Sequence, residues 1–386
     1  MSAVPDSAVS DPGRRGASDA GQPEPEQPSG AAPAVQARPC TDPREWDAFV
    51  DGNGGHPLQS WGWGELKSRH RWSAERVLVT AGGAVLGGGS ILYRPIPAGL
   101  GRLAYLPRGP VLAGGHTAGQ AGGHAAERAG QAGQLERTVA EALAEHARRA
   151  GAIVLMIEPD AESYATGPGW RRSPTEILPA RTLILDLRQD EDALMAAMAK
   201  KTRQYIRKSA AEALQIRPVE TLAQLEECLR VYDQTAERAR FGLHERSYYR
   251  DAFEQLGPEH RSVWASYQGE RPVAFLWLGH TARTAFELYG GMDPEGQRLR
   301  ANYALKWHAI RAMRAAGVQR YDFGGLINDG VTTFKKGFAS HEDLLAGSWD
   351  RPLSWRYPLY ARALPLARAA MRRLSRRGGE PERDAD

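Results

Sequence analysis

The sequence has 386 residues, 42% of them hydrophobic and 25% charged, with a net charge of +4; that length suits two ordinary domains with real cores. Its two cysteines, Cys40 and Cys228, and the lack of any C-x-x-C or Cys/His cluster exclude a disulfide framework and a zinc site. No apolar run approaches the roughly 18 residues of a membrane span, and the first residues lack the basic and apolar regions of a signal peptide, so the chain is expected to be soluble and cytoplasmic.

Residues 1–38 are Ala, Pro, Gly, Ser, Gln and charge, too poor in bulky apolar groups to offset ordering entropy, and are read as a disordered tail. Helices are expected at Pro43–Val50 and Trp61–Arg69. From Glu75 two apolar runs hinge at Ala81-Gly82-Gly83, the pattern of a β-hairpin, and a third run follows at Leu103–Leu106. Residues 113–134 form three imperfect Gly/Ala-rich octads and are read as a loop insertion; His116 and His124 repeat in it without carboxylate or thiol partners. A helix at Leu135–Arg149, closed by Gly151, leads to a buried strand at Ile153–Ile157.

The second half repeats that order. Helices are expected at Glu191–Leu214 and Leu222–Arg240, and a hairpin from Ser262 turns at Gln268-Gly269-Glu270. A strand at Ala285–Tyr289, a helix at Tyr303–Ala316 closed by Gly317, and a strand at Arg320–Phe323 complete it. The junctions share letters, RRAGAIVLMI from Arg148 beside RAAGVQRYDF from Arg314. The expected organisation is two copies of one α+β unit, at 39–186 and 187–357, followed by a basic C-terminal helix and tail at 358–386. In that last segment Leu359, Ala363, Leu366, Ala370 and Leu374 recur at helical spacing among arginines. Residues 358–377 therefore either lie on an anionic membrane or pack on the second unit.

The chain carries no G-x-S-x-G elbow, Walker loop, dinucleotide fingerprint or H-E-x-x-H, so an enzyme built on it needs a substrate that arrives activated. Lys67 ends a short helix, and Lys200, Arg203 and Arg207 recur at three and four residues on a different helix face from the apolar one traced by Leu194, Met195, Met198, Ile206 and Leu214. Such cations suit phosphate groups, or simply solvent. Asp322, at a strand end, is a candidate to orient an amine or take its proton.

Helices, a three-strand meander, a crossover helix and a strand form the outline of an acyl-CoA N-acyltransferase (GNAT-like) domain. Such domains hold a pyrophosphate with a glycine-rich turn before the crossover helix. Here that segment is Gln297-Arg298-Leu299-Arg300-Ala301-Asn302, without the glycines, so acetyl-CoA is not expected and no other cofactor is implied. Six strings then occur in order: Gln59–Lys67 (QSWGWGELK), Tyr105–Pro110 (YLPRGP), Lys201–Lys208 (KTRQYIRK), Leu288–Gly291 (LYGG), Asn302–Trp307 (NYALKW) and Thr333–Phe338 (TFKKGF). Together they resemble the FemABX family of aminoacyl-tRNA-dependent peptidyltransferases, over about residues 40–365.

The resemblance implies two tandem GNAT-like domains, and the lack of a long charged heptad stretch implies a compact form without a coiled-coil arm. It also implies an aminoacyl-tRNA donor and, as acceptor, the stem peptide of a nucleotide-linked or lipid-linked peptidoglycan precursor. Carried over by motif, Lys335 of the Phe334-Lys335 pair meets the oxyanion. Lys67 meets a pyrophosphate, with Thr202 and either Arg203 or Arg207 as its second contact. Tyr289 lines the substrate channel, and Tyr105 and Arg108 stand near the cleft. This sequence departs from the family after Leu112, where many relatives carry an acidic residue and the Ala/Gly segment stands instead. Two other readings stay open: an acyl-CoA N-acyltransferase on the same fold, and a non-catalytic module that binds tRNA or membrane.

Overall fold

The computed structural model describes residues 33–115, 125–165, 167–327 and 329–362. The chain enters as strand β1 (Val35–Cys40), within the segment read as tail; residues 1–32 of that tail lie outside the described residues. Helix α1 (Pro43–Gly52) starts where Asp42 accepts a hydrogen bond from the Arg44 amide, and it buries Trp46 and Val50. Helix α2 (Trp61–Arg69) is capped by Ser60 and buries Trp63, Leu66 and Lys67.

Strands β2 (Ser73–Ala81) and β3 (Ala84–Ile96) form the expected hairpin. Its two-residue turn needs φ of +57° at Gly82 and +84° at Gly83, which glycine adopts without strain. Next come β4 (Gly101–Pro107), the short β5 (Val111–Leu112), α3 (Ala125–Arg149) and β6 (Ala152–Glu158), which runs parallel to β4. Val139, Leu143 and Ala147 recur on one face of α3 and bury against the sheet. Part of the expected loop insertion is therefore helix: residues 125–134 are the opening turns of α3. His116 and His124 lie outside the described residues.

Between the halves run β7 (Arg171–Arg172), β8 (Arg181–Thr182) and β9 (Ile184–Asp186). The single helix expected at Glu191–Leu214 is instead α4 (Glu191–Ala197), α5 (Lys200–Ala210) and the first residue of β10 (Leu214–Pro218). Met198 and Ala199 are extended at the break because the Met198 side chain drops into the core and the Ala199 amide bonds the Gly337 carbonyl at 3.0 Å. Then follow α6 (Leu222–Ala239), α7 (Arg246–Gln255), α8 (Gly257–His260), β11 (Arg261–Gln268), β12 (Arg271–His280) and β13 (Thr284–Met292). The chain continues through α9 (Pro294–Leu299), α10 (Ala301–Ala315), β14 (Arg320–Asp322), α11 (Asp329–Lys336), β15 (Asp343–Leu344) and β16 (Trp349–Pro352).

The two main sheets have matching orders: β1-β2-β3-β4-β6-β16-β7, with β5 beside β3, and β10-β11-β12-β13-β14-β9. Each is an edge strand, a meander, a parallel strand after a crossover helix, and an antiparallel closing strand. This is the tandem GNAT-like α+β fold, compact and without a coiled-coil arm among the described residues. The closing strands depart from the expected boundaries. Ile184–Asp186, assigned to the first unit, closes the second sheet on β14, and Trp349–Pro352, assigned to the second, closes the first on β6.

The second sheet is packed on both faces, by α5 and α10 on one and by α6 and α7 on the other. Leu58, Trp63 and Leu66 of the first half join the latter core, so the halves share buried surface. At the C-terminal end, Tyr357 and Tyr360 bury against Trp72, Leu103 and Tyr105 of the first sheet. Leu359, expected on the apolar face, is 51% exposed, and 363–377 lie outside the described residues. Among the described residues no helix is long and apolar enough to cross a membrane.

Candidate active site

Strand β13 holds parallel pairing with β14 only from Thr284–Phe286 against Arg320–Asp322. Just beyond, a bulge inserts Leu288 between the pairs Leu278–Glu287 and Trp277–Tyr289. The extra residue turns Glu287 and Tyr289 to opposite faces, although two residues apart they would otherwise share one. Glu287 faces α10, where it accepts hydrogen bonds from the buried Lys306 ammonium and, at 2.8 Å, from the Tyr321 hydroxyl. Tyr289 faces α7.

Past β14 the chain turns through Gly324-Gly325, and α11 brings Lys335 against that turn. The Lys335 ammonium donates to the Gly325 carbonyl at 2.9 Å and to the Gly324 carbonyl at 3.4 Å. Burial pushes its pKa down to about 8, with Lys306 acting in the same direction and Glu287 and Asp322 opposing. Gly325 is required there, since a Cβ would stand 2.5 Å from the Pro179 ring. Phe334 packs its ring between Tyr303 and Phe338, at 5.0 and 5.3 Å, so it fixes α11 from the core side while Lys335 turns the other way. Thr202 is buried with its hydroxyl against Gly337, just after α11.

Asp322 is fully buried at the end of β14. Its Oδ1 accepts from the Thr182 hydroxyl and from the Gly324 amide at 2.8 Å, while Oδ2 has no hydrogen-bond partner among the described residues. Burial raises its pKa, against the pull of Arg108. The matching carboxylate of the first half is Glu158, at the end of β6. It accepts from the Tyr105 hydroxyl, the Ile177 and Leu178 amides at 2.8 and 3.0 Å, and the Ser348 hydroxyl at 2.6 Å. One carboxylate is saturated, and the other keeps a bare oxygen. Tyr105 is thereby committed to Glu158 and packs in the first-sheet core.

Arg108 adopts φ of +51° after β4 and is buried, its Nη2 donating to the Pro179 carbonyl at 3.1 Å. Pro179 touches Gly325, so Arg108 and Lys335 stand on two sides of one short wall. Lys67 lies elsewhere, at the seam between α2 and α7. Its ammonium is 4.9 Å from the Trp63 ring centroid and 5.2 Å from that of Tyr248, and it donates to the Tyr248 hydroxyl at 3.0 Å. Tyr248 reaches the Tyr289 hydroxyl at 3.5 Å, and His244 stacks on it at 4.0 Å. The structure thus joins Lys67 to Tyr289 through a helix absent from the sequence reading. The spacing of Tyr248, Tyr249, Ala252 and Phe253 was the signal for it. Arg203 donates to the Ala196 and Met198 carbonyls at 3.1 and 2.5 Å, closing the end of α4, while Arg207 is exposed on α5. Glu158, Glu287 and Lys306 were not among the expected site residues.

Residues 196–336, most of the second half, match a family described as acetyltransferase (GNAT) domain. Over most of the chain the arrangement is FemX-like: the crystal structure of FemX covers 84% of this chain and 98% of its own, with a TM-score of 0.69 at 18% identity. Two further solved structures are similar at a TM-score of 0.50. The C-terminal domain of a protein assigned as a lysylphosphatidylglycerol synthetase, from Agrobacterium fabrum, has 15% identity and covers 84% of this chain and 96% of its own. L-PGS from Bacillus licheniformis has 14% identity and covers 87% and 97%. No curated protein matches the sequence.

Proposed function

We propose that this protein transfers an amino acid from aminoacyl-tRNA to an amino group of a peptidoglycan precursor's stem peptide. The observation that carries the reading is the Lys335 ammonium, fixed by two glycine carbonyls where β13 and β14 part, with the bare Oδ2 of Asp322 at the end of β14. An aminoacyl ester is already activated, so the acceptor amine attacks its carbonyl directly. As the C–N bond forms, the carbonyl oxygen becomes an oxyanion, to which Lys335 offers its third hydrogen. The proton leaving the amine goes to Asp322 and then to the departing ribose oxygen, so that the C–O bond breaks without a free alkoxide.

Lys67, in its ring of Trp63 and Tyr248, is the point charge for the precursor's pyrophosphate; Thr202 and Arg207, expected as its partners, stand on α5 across the second sheet from α7 and do not share that phosphate. Arg203 supports α4 instead. A relative named for lysylphosphatidylglycerol synthesis fits aminoacyl transfer in general. The rival acyl-CoA donor is disfavoured because the segment entering α10 is itself a helix, α9, ended by Arg300 at φ of +55°, with its guanidinium on the Tyr205 ring. No glycine turn is left to cradle a pyrophosphate. Exposed Trp355, with Arg356 over its ring, and exposed Leu359 suit a lipid-linked acceptor met at an anionic membrane.

The test is incubation of purified protein with total charged tRNA and each precursor, read by mass spectrometry, with acetyl-CoA as a parallel donor. The expected product is a precursor heavier by one aminoacyl residue. Acetylated product with tight acetyl-CoA binding, and none from charged tRNA, refutes the reading.

A further inference from the structure

Four buried ionisable side chains gather where β13 and β14 part: Glu287 on β13, Lys306 on α10, Asp322 at the end of β14 and Lys335 on α11. The proposed chemistry uses Asp322 and Lys335 and leaves Glu287 and Lys306 without a task. Those two form an ion pair whose side chains are only 8% and 6% exposed. A pair buried that deeply is a poor source of stability, since apolar residues of similar volume often serve a fold as well or better. The chain nevertheless spends a bulge, at Leu288, to turn Glu287 toward Lys306. Tyr321 adds its hydroxyl to the same carboxylate oxygen at 2.8 Å.

The place of the pair supplies a reason for it. The Lys306 ammonium lies 4.8 Å from the Phe323 ring centroid and 5.3 Å from that of Phe334. Phe323 precedes the Gly324-Gly325 turn that holds Lys335, and Phe334 precedes Lys335 itself. Around the Lys335 ammonium stand Glu287 from β13, Lys306 from α10 and Asp322 from β14; the two acids favour its proton and Lys306 opposes them. The other polar groups nearby are occupied. Tyr321 is spent on Glu287, Arg320 turns to Asp160, Lys336 turns to Glu342, and Arg108 lies across Pro179.

We propose that Glu287 and Lys306 are positioning residues that set the charge on Lys335: the carboxylate holds the proton on Lys335, and the second ammonium tempers that hold. The purpose rests on the reading of Lys335 as oxyanion donor, but the measurement does not. An ammonium with a loosely held proton gives a stronger hydrogen bond to a developing oxyanion, provided that it stays charged near neutral pH.

The experiment labels the seven lysines of the full chain with carbon and nitrogen isotopes and follows the Lys335 side chain by NMR as pH is raised, its signal assigned by loss in Lys335→Met. The midpoint is expected near pH 8 in the wild type, at least about half a pH unit lower in Glu287→Gln and at least about half a pH unit higher in Lys306→Met. A pair that only props the fold would weaken stability in both variants without moving the midpoint in opposite directions. The double variant, Glu287→Gln with Lys306→Met, leaves no unmatched charge buried and serves where a single variant does not fold. Its midpoint is expected between those of the singles and within about one pH unit of the wild type. Single-variant midpoints that move together or stay in place, or a double-variant midpoint displaced further than that, overturn the proposal. Opposite shifts without any transfer from charged tRNA would uphold it and refute the transfer reading, so the two fail separately.

Discussion

Replacing Lys335 with methionine keeps the aliphatic stem but removes the ammonium. Of that ammonium's three hydrogens, two are spent on Gly325 and Gly324, at 2.9 and 3.4 Å, and the third serves the developing oxyanion. Losing one such donor slows an acyl transfer about a hundredfold. The loss falls on the rate more than on binding, because the contact strengthens only as negative charge develops. A pKa of about 8 adds a second signature. An oxyanion donor works while protonated, so the advantage of the wild type over Lys335→Met should be full at pH 7 and shrink about tenfold by pH 9. The assay is single-turnover transfer from charged tRNA across that range, reported as the ratio of the two rates, which cancels the acceptor amine's own titration. Lys336→Ala is the control: its side chain is 41% exposed and pairs with Glu342, so its loss should change the rate less than about threefold. A ratio near one at pH 7, a ratio that grows above pH 8, or greater sensitivity at Lys336 would refute the role.

Three further outcomes follow from the geometry. Asp322→Asn keeps the acceptor for Thr182 and Gly324 but removes the base, so transfer should slow by about a hundredfold with acceptor affinity kept; an unchanged rate removes Asp322 from the reaction. Lys67→Met should weaken precursor binding about ten- to hundredfold at low salt while the fold survives, and calorimetry that shows no change takes Lys67 out of the site. Burial works against a charge on His260, but the Asp47 carboxylate 3.6 Å away and the His280 carbonyl outweigh it and raise the pKa to about 9. The stability from that contact is fully present below pH 6.5 and is lost as pH rises through 9, about 3 kcal/mol in all. Urea denaturation should show wild type and His260→Gln converging over that window; a constant difference would contradict it.

The hairpins and crossover helices were legible because period and punctuation coincide in them: alternating apolar runs around Gly82-Gly83, and helical stripes closed by Gly151 and Gly317. The closing strands were not. Ile184–Asp186 and Trp349–Pro352 have three and four residues, too few to show alternation, and each pairs with a strand of the other half, Arg320–Asp322 and Val154–Ile157. Lys335 and Lys67 were singled out through the resemblance alone. Their surroundings were not legible, since Tyr248 lies 181 residues from Lys67 and nothing local ties the two. The bulge at Leu288 explains why Glu287 escaped notice: simple alternation puts it on the face of Tyr289, away from Lys306. Arg203 looked like a member of a basic stripe, and only the break at Met198 and Ala199 gives its guanidinium carbonyls to cap.

The crosswise placement of the closing strands bears on how this duplicated chain is inherited and handled as a molecule. A cut near residue 187, where the repeat itself would suggest one, gives two fragments, each carrying the strand that completes the other's sheet. Neither fragment has its own full set, and each exposes a raw edge prone to pairing with whatever strand it meets. The fold is therefore expected to be regained by mixing the two fragments rather than by folding either alone.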